Sequence, residues 1–142
     1  MNLQSESCTF FIDRCLGKHL ICATLRSTGV QVEIHDDHFS QNAKDIEWIP
    51  EIGKRGWIIL TKDTQIGFNE LERQAVARAE VRMFTLASRK LSGAETAIAF
   101  KEALSSMMKF VDQHPHPFIA KVYKDGKVRA WWDAESLIKE IQ

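Results

Sequence analysis

The amino-acid sequence predicts an α/β protein built around a layered, mostly parallel β-sheet, and three observations support this. Runs rich in β-branched and aromatic residues alternate with runs of helical period along the chain. The run from Trp57 to Leu60 is almost continuously apolar, which is typical of parallel strands covered on both faces. The length of 142 residues, with 44% hydrophobic and 27% charged residues, suits one globular domain. We therefore expect a single domain over residues 1–142.

Three strands and two helices are predicted in the first half of the chain. The strands are short β-branched and aromatic runs, and the helices have apolar residues at helical spacing. In order, the segments are a strand at Thr9 to Ile12, a helix at Leu16 to Leu25, a strand at Val30 to Ile34, a helix at Asp45 to Arg55 and a strand at Trp57 to Leu60. Pro50 lies beyond the first turn of the second helix. Because a proline there removes a backbone donor, we expect an irregular or kinked start.

The second half is predicted to contain a helix, a strand, a longer helix and a terminal hairpin with a last short helix. Asn69 with Glu72, and Ser92 with Glu95, have the spacing of helix N-terminal capping patterns. An Asp-Gly pair at residues 125 and 126 is a strong hairpin signal. The segments are a helix at Asn69 to Ala79, a strand at Val81 to Leu86, a helix from Ser92 to about Val111, strands at Phe118 to Tyr123 and Val128 to Trp132, and a helix from Asp133 to Ile141. The core then spans about residues 9–112, and the hairpin and last helix about 118–141.

The charge balance and the apolar pattern limit the classes of partner. The chain has 19 basic and 19 acidic residues, so that any binding of a polyanion must depend on a local patch. No stretch approaches the roughly 18 consecutive apolar residues of a membrane span, and we expect a cytoplasmic protein without a membrane partner. The three cysteines form no C-x-x-C pair, which argues against a zinc site or a disulfide framework.

Acidic residues follow each of the first three predicted strands. Asp13 follows the first, Asp36 and Asp37 follow the second, and Asp63 follows the third. The carboxyl ends of parallel strands lie at one edge of a sheet, where ligands bind, so these side chains should converge. Carboxylates held close together need protons or hard cations, and oxygen ligands suit Mg²⁺ or Mn²⁺. The alternative is that Asp13 or Asp45 only caps the following helix, and that the Asp36–Asp37 loop is simply solvated.

Basic residues fall near the same edge. A phosphate could bind to them and to the helix N-terminus at Ser92, although such charges are usually only solvated. The candidates are Arg14, Lys18, Lys62, Arg89 and Lys90. A second basic set decorates the terminal hairpin beside two tryptophans, which could stack on bases or serve as core or interface anchors. This set consists of Lys121, Lys124, Lys127 and Arg129.

Four segments carry a family pattern that runs from about Thr9 to Val122. They are FFIDR at residues 10–14, the segment Val32 to Phe39 with its HDDH run, DIEWIP at residues 45–50 and GWIILTKD at residues 56–63. Together they resemble the PIN-like domains of VapC-type toxins. The resemblance implies a three-layer α/β/α sandwich with a mostly parallel sheet. It also implies an endoribonuclease that depends on Mg²⁺ or Mn²⁺ and is commonly encoded beside an antitoxin that masks its site.

The resemblance assigns roles to particular acids. Asp13 corresponds to the acid that closes the first strand, and Asp63 to the acid after the Thr-Lys pair. The middle acid should come from the segment 45–48, where we favour Glu47 over Asp45. The family generally presents a fourth acid, which the sequence does not locate. Metal-assisted phosphodiester hydrolysis would follow, with Arg14, Lys18 or Arg89 neutralising the scissile phosphate.

Two other functions stay open at this point. The chain could be a PIN-like binding module with little or no catalysis, because the fourth acid is not located and the overall charge is neutral. It could also be a receiver-type phosphoacceptor domain, which places acids after its first and third strands. That function needs a lysine at the end of a later strand with a hydroxyl residue before it, and the region Phe84 to Arg89 matches this only loosely. The exposed edge of the terminal hairpin suits a homodimer contact or an antitoxin contact equally well.

Overall fold

In the computed structural model, residues 8–17, 19–88 and 90–142 are described, and they form a six-stranded sheet with helices on both faces. The strands lie in the order β2-β1-β3-β4-β5-β6, the first five parallel and β6 antiparallel to β5. The strands are β1 Thr9–Ile12, β2 Gln31–Ile34, β3 Ile58–Thr61, β4 Arg82–Leu86, β5 Phe118–Val122 and β6 Val128–Trp132. The predicted mostly parallel sheet with a terminal hairpin is confirmed.

Helices connect the strands and cover the two faces of the sheet. Among the described residues the α-helices are α1 Leu20–Arg26, α2 Asp45–Arg55, α3 Glu70–Arg78, α4 Gly93–Gln113 and α5 Ala134–Lys139. Residues of α1 and α4 share one apolar core, and residues of α2, α3 and α5 share the other. The molecule is therefore a three-layer α/β/α sandwich. None of these helices is both long and apolar enough to cross a bilayer.

Strand β1 explains why the sheet needs helices on both sides. Its side chains alternate between the faces, with Phe10 and Ile12 in the core under α1 and α4, and Phe11 in the core under α2, α3 and α5. All three side chains are completely buried. A strand that is apolar at every position is stable only where both of its faces are covered.

Local signals at the helix ends largely agree with the sequence. Ser92 and Glu95 form a reciprocal capping box at the start of α4. Gly56 ends α2 in the left-handed conformation, with φ of 69°. Helix α2 runs without interruption from Asp45 to Arg55 despite Pro50, so the expected irregular start is not seen. The first predicted helix is shorter than expected, because residues Arg14–Leu16 form a separate 3-10 turn and α1 begins only at Leu20.

Candidate metal centre

The carboxyl ends of β1 and β3 bring the first two predicted acids to one place. The Asp13 amide donates to the Leu60 carbonyl at 2.9 Å, which extends the pairing of the two strands by one residue. The Thr61 hydroxyl donates to Asp13 Oδ2 at 2.7 Å and accepts the Asp63 amide at 3.0 Å. Asp13 and Asp63 therefore line the same hollow, of about 330 Å³, as the parallel topology predicts.

Two further acids approach Asp63 from the helices that cover the sheet face, and one of them, Asp45, also lines the hollow. One carboxylate oxygen each from Asp45, Asp63 and Glu72 lie within 4.8 Å of one another. Asp45 is the first residue of α2, and Glu72 lies in the first turn of α3. All three side chains are half-buried. Oxygen donors at such spacing form the type of ligand set that a hard divalent cation prefers.

The electrostatics of the cluster also favour a cation. The pKa of Glu72 is raised from 4.5 to about 8, chiefly by burial, then by a hydrogen bond to Asp45 and by the charges of Asp45, Asp63 and Asp13. The pKa of Asp13 is also raised, mainly by burial and further by the Asp45 charge, while the Thr61 hydrogen bond opposes this. Without a cation, a proton on Glu72 relieves part of the repulsion. These residues fit a divalent ion, which would replace that proton.

Asp45 is held in place by a buried tryptophan. Trp48 is 1% exposed, and its indole nitrogen donates to Asp45 Oδ1 at 3.0 Å. Its ring packs against Phe11 and His35, with centroids 5.4 and 5.7 Å away. Because the carboxylate is in the first turn of α2 and the indole one turn later, the contact fixes the rotamer that aims Asp45 at the sheet edge. Trp48 therefore positions the Asp45 carboxylate within the acid cluster.

The structure does not bring Glu47 to the cluster. Glu47 Oε1 accepts the Lys44 amide at 3.1 Å, so that this side chain caps α2 from its solvent-exposed side. Residues two positions apart on a helix point in nearly opposite directions, and Asp45 is the one that faces the sheet edge. The sequence favours Glu47 as the middle acid and Asp45 as a helix cap. The structure has the opposite arrangement, with Glu47 as the cap and Asp45 beside Asp63.

Glu72 is the acid that the sequence does not reveal. Its position three residues after Asn69 matches a capping pattern, and the Asn69 side chain does accept the Glu72 amide at 3.0 Å. The Glu72 carboxyl group, however, lies beside Asp45 and Asp63, and in its protonated form it donates a hydrogen bond to Asp45 instead of returning to the cap. In the sequence, a helix-capping role already explains a glutamate at this position, so nothing marks it as a candidate ligand. Only the packing of α3 beside α2 identifies it as a member of the cluster.

The acids after β2 lie apart from this group. Asp36 and Asp37 belong to a 3-10 turn at His35–Asp37, and neither is among the converging oxygens of the described residues. Asp36 is half-buried beside His35, with Oδ1 and Nδ1 3.8 Å apart, and Asp37 is exposed. Strand β1 lies between β2 and β3 in the sheet, so the acids after β2 are two strands away from Asp63 at the end of β3.

The predicted phosphate-binding residues are spread along the edge. Arg14 donates to the Gln41 carbonyl at 3.2 Å and lines the acidic hollow. Lys62 and Lys90 are exposed. Lys18 and Arg89 lie outside the described residues. A phosphate-binding role therefore stays a prediction for all five of these residues.

Cys15 is close to the acids but is poorly suited to act as a nucleophile. Its sulfur lies 3.5 Å from Asp13 Oδ2 and 3.3 Å from the Thr61 hydroxyl. Burial and the Asp13 charge raise the pKa of the thiol to about 11. Because the thiolate is the reactive form, the raised pKa disfavours reaction of this cysteine at neutral pH, although the residue itself is exposed.

The fold and the edge cluster define a class of α/β protein with an acidic site at the carboxyl ends of parallel strands. The family described as "PIN like domain" matches residues 8–88, which is more than half of the chain and includes all four acids. This chain belongs to that family. It is also 27% identical over 132 residues to "Putative ribonuclease VapC45" of Mycobacterium tuberculosis (strain ATCC 25618 / H37Rv), a match that covers 90% of this chain and 95% of the relative. No solved structure matches significantly. The resemblance to VapC-type PIN domains is confirmed.

Proposed function

We propose that this protein is a metal-dependent endoribonuclease and the toxin of a toxin–antitoxin pair. One observation carries the proposal: Asp45, Asp63 and Glu72 converge on the edge of a PIN-like sheet beside the buried Asp13. This chain is also similar, over 90% of its length, to a protein named as a putative ribonuclease, and this similarity supports the same activity.

Each acid has a distinct part in this proposal. Asp45, Asp63 and Glu72 would hold Mg²⁺ or Mn²⁺, and Asp13 would complete the negative site from the end of β1. A bound divalent ion supplies a water of lowered pKa and stabilises charge on the phosphate oxygens. Arg14, at the rim of the hollow, would attract and orient the scissile phosphate. The middle ligand is therefore proposed to be Asp45, with Glu47 as a helix cap.

Cleavage of a labelled RNA tests these roles. We expect activity with Mg²⁺ or Mn²⁺, no activity in excess EDTA, and a loss of at least about 100-fold in kcat/KM for Asp63→Asn or Asp45→Asn. Glu47→Gln is the matched control, because glutamine can still cap the helix. It should retain nearly full activity. An inactive Glu47→Gln beside an active Asp45→Asn would reverse the assignment.

The competing idea of a non-catalytic PIN-like module now has less support. It was motivated by the lack of a located fourth acid and by the neutral overall charge, and the proximity of Glu72 to Asp45 and Asp63 argues against the first of these motives. Calorimetry with Mn²⁺ separates the two functions. Binding that disappears in Asp63→Asn supports the nuclease, whereas a wild-type protein without even millimolar affinity supports the module.

A receiver-type phosphoacceptor remains the second candidate because of one observation. The strand register places Thr85 of β4 and Lys121 of β5 in one row with Thr61 of β3. A hydroxyl and a lysine on later strands are what that function needs. The Lys121 ammonium, however, lies 4.2 Å from the Trp131 ring centroid, where it interacts with the aromatic face. Incubation with acetyl phosphate and intact mass measurement test the idea, and an unchanged mass removes it.

The partner, the location and the extent of the domain are also proposals. An antitoxin that masks the acidic edge, a cytoplasmic location and a single unit over residues 1–142 all follow from the VapC-type resemblance and the composition. A homodimer contact through the terminal hairpin is the alternative proposal for that edge. Size-exclusion chromatography with light scattering, on the protein alone and with its co-expressed chromosomal neighbour, tests both associations.

A further inference from the structure

We propose that a second surface of this protein binds single-stranded RNA next to the acidic site. The surface consists of Phe68, Lys121, Arg129 and Trp131, and we call it the aromatic–cationic patch. The inference rests on the proposed ribonuclease function and adds to it a binding site for the nucleotides that flank the scissile phosphate.

The strand register connects this patch to the acidic site. Thr61, which donates to Asp13, is in register with Thr85 on β4. Thr85 is in register with Lys121 on β5, and Lys121 with Arg129 on β6. Residues in register on neighbouring strands share a face, so one row crosses the sheet from the acids to the patch. At about 4.8 Å per strand, Lys121 lies roughly 10 Å and Arg129 roughly 15 Å from Thr61 along this row.

Phe68 is the aromatic residue of the patch that is available for stacking. Phe68 is 68% exposed, which is unusual for a phenylalanine beside a packed core. Its ring meets Trp131 edge to face, with centroids 5.3 Å apart. The Trp131 ring also packs directly on Gly67, where a Cβ atom would lie only 2.1 Å from the ring. Trp131 is therefore fixed by the 3-10 turn that follows Asp63, and it supports an exposed Phe68.

The cations of the patch are not neutralised by acids. Within the described part of the chain, neither Lys121 nor Arg129 has a carboxylate within 4 Å. Lys121 instead lies over the Trp131 face at 4.2 Å, and Arg129 is exposed. Unpaired cations beside an exposed aromatic ring are the combination that tracks a phosphate backbone and stacks on its bases.

RNA is the occupant that the charge distribution favours. The chain has no net charge, and the cleavage edge carries four acids, so the field at the site repels a polyanion unless a cation is bound. Apart from Arg14 at the rim of the hollow, attraction for RNA then needs a positive surface within a few nucleotides of the acids. The aromatic–cationic patch lies at that range and on the sheet face that also carries α2 and α3.

Binding without metal tests the patch independently of catalysis. A fluorescein-labelled oligouridylate of about 12 nucleotides is titrated with protein in EDTA at low salt, and anisotropy is recorded. We expect Phe68→Ala and Arg129→Glu each to weaken binding by about tenfold, and Arg129→Glu to reduce the salt slope. Lys101→Glu is the charge-matched control, since Lys101 is exposed on α4, on the opposite face of the sheet. Phe68→Leu keeps the apolar surface without the ring and should bind as weakly as Phe68→Ala.

The outcomes separate this inference from the proposed function. If the wild type does not bind, if Lys101→Glu loses as much affinity as Arg129→Glu, or if Phe68→Leu binds normally, the RNA patch is refuted. If these variants instead retain RNA binding but no longer associate with a protein partner or a second copy, the patch is a protein contact and the inference fails. Weakened RNA binding in a protein that cuts no RNA would keep the patch and refute the nuclease.

Cleavage kinetics then locate the patch relative to the cut. Arg129→Glu should raise KM by about tenfold with little change in kcat, because the residue touches only flanking nucleotides. Shortening the RNA from one end should abolish the difference between variant and wild type, whereas shortening it from the other end should not. An equal effect on all substrates, or an effect on kcat alone, would contradict a flanking site.

Discussion

Replacing Glu72 by glutamine should stabilise the metal-free protein at pH 8 while weakening its response to metal. Burial, a hydrogen bond to Asp45 and the charges of the neighbouring acids raise the pKa of Glu72 from 4.5 to about 8. Glutamine is nearly isosteric, carries no charge and can still donate a hydrogen bond to Asp45. The substitution therefore removes the repulsion without opening a cavity.

The size and the sign of the effect follow from linkage. The folded-state pKa of Glu72 lies above the unfolded value, so the protonated carboxyl supports the fold fully below pH 4.5, and this support is lost as pH rises through about 8. A fully shielded group would lose about 5 kcal/mol over this window. Glu72 is only half-buried, and screening by water reduces the loss to about 1–2 kcal/mol. For 142 residues this equals about 3–6 °C in Tm.

Thermal unfolding at pH 5 and pH 8, in EDTA and in Mn²⁺, measures both halves of this prediction. At pH 8 in EDTA, Glu72→Gln should melt higher than the wild type, and at pH 5 the difference should shrink. With saturating Mn²⁺ the wild type should gain more stability than the variant, because the variant has lost a ligand. The control is Glu70→Gln, which removes a charge from an exposed position in the same helical turn.

Two results would refute the reasoning. If Glu70→Gln raises the metal-free Tm at pH 8 as much as Glu72→Gln does, the effect belongs to the helix end and not to the acid cluster. If Glu72→Gln melts lower than the wild type in EDTA at pH 8, the carboxylates do not repel one another as their placement requires.

Three further substitutions test the supports of the site and the fold. Trp48→Phe keeps an aromatic ring but loses the donor to Asp45, and it should weaken Mn²⁺ binding by about 10- to 100-fold in calorimetry; unchanged affinity would deny the support. Thr61→Val removes the hydrogen bond that lowers the pKa of Asp13, so the acidic limb of the pH–rate profile should move to higher pH, and an unmoved limb would contradict this. Gly53→Ala places a Cβ 2.5 Å from the Cβ and 2.6 Å from the carbonyl oxygen of Ala79, the residue after α3, and it should lower the free energy of unfolding in denaturant by about 1–3 kcal/mol. An unchanged free energy of unfolding would mean that α2 and α3 can move apart without cost.

The acids at the strand ends show what can be predicted from the chain alone. Asp13 and Asp63 directly follow apolar strands, and the parallel topology places all such positions on one edge. The strands and most helix ends are equally local, because apolar runs, the Ser92 capping box and the Asp-Gly turn each act within a few residues. These features were predictable since nothing distant in the chain is needed to specify them.

The helical acids show where that approach ends. Asp45 and Glu47 are both polar, both near a helix start and both plausible ligands, and only the rotation of α2 about its axis decides which one faces the sheet edge. That rotation is fixed by the burial of Trp48 against Phe11. Glu72 is a further case, because its local pattern is fully explained by capping.

The sequence by itself therefore determined the order of strands and helices, the parallel sheet and the two acids at its carboxyl edge. The tertiary structure alone decided which helical acids join them, and it placed Lys121 and Arg129 in one row with Thr61. The physical reason is the range of the forces involved. Capping, turn formation and strand periodicity act between neighbours, whereas helix rotation and strand register depend on the packing of side chains that are far apart in the chain.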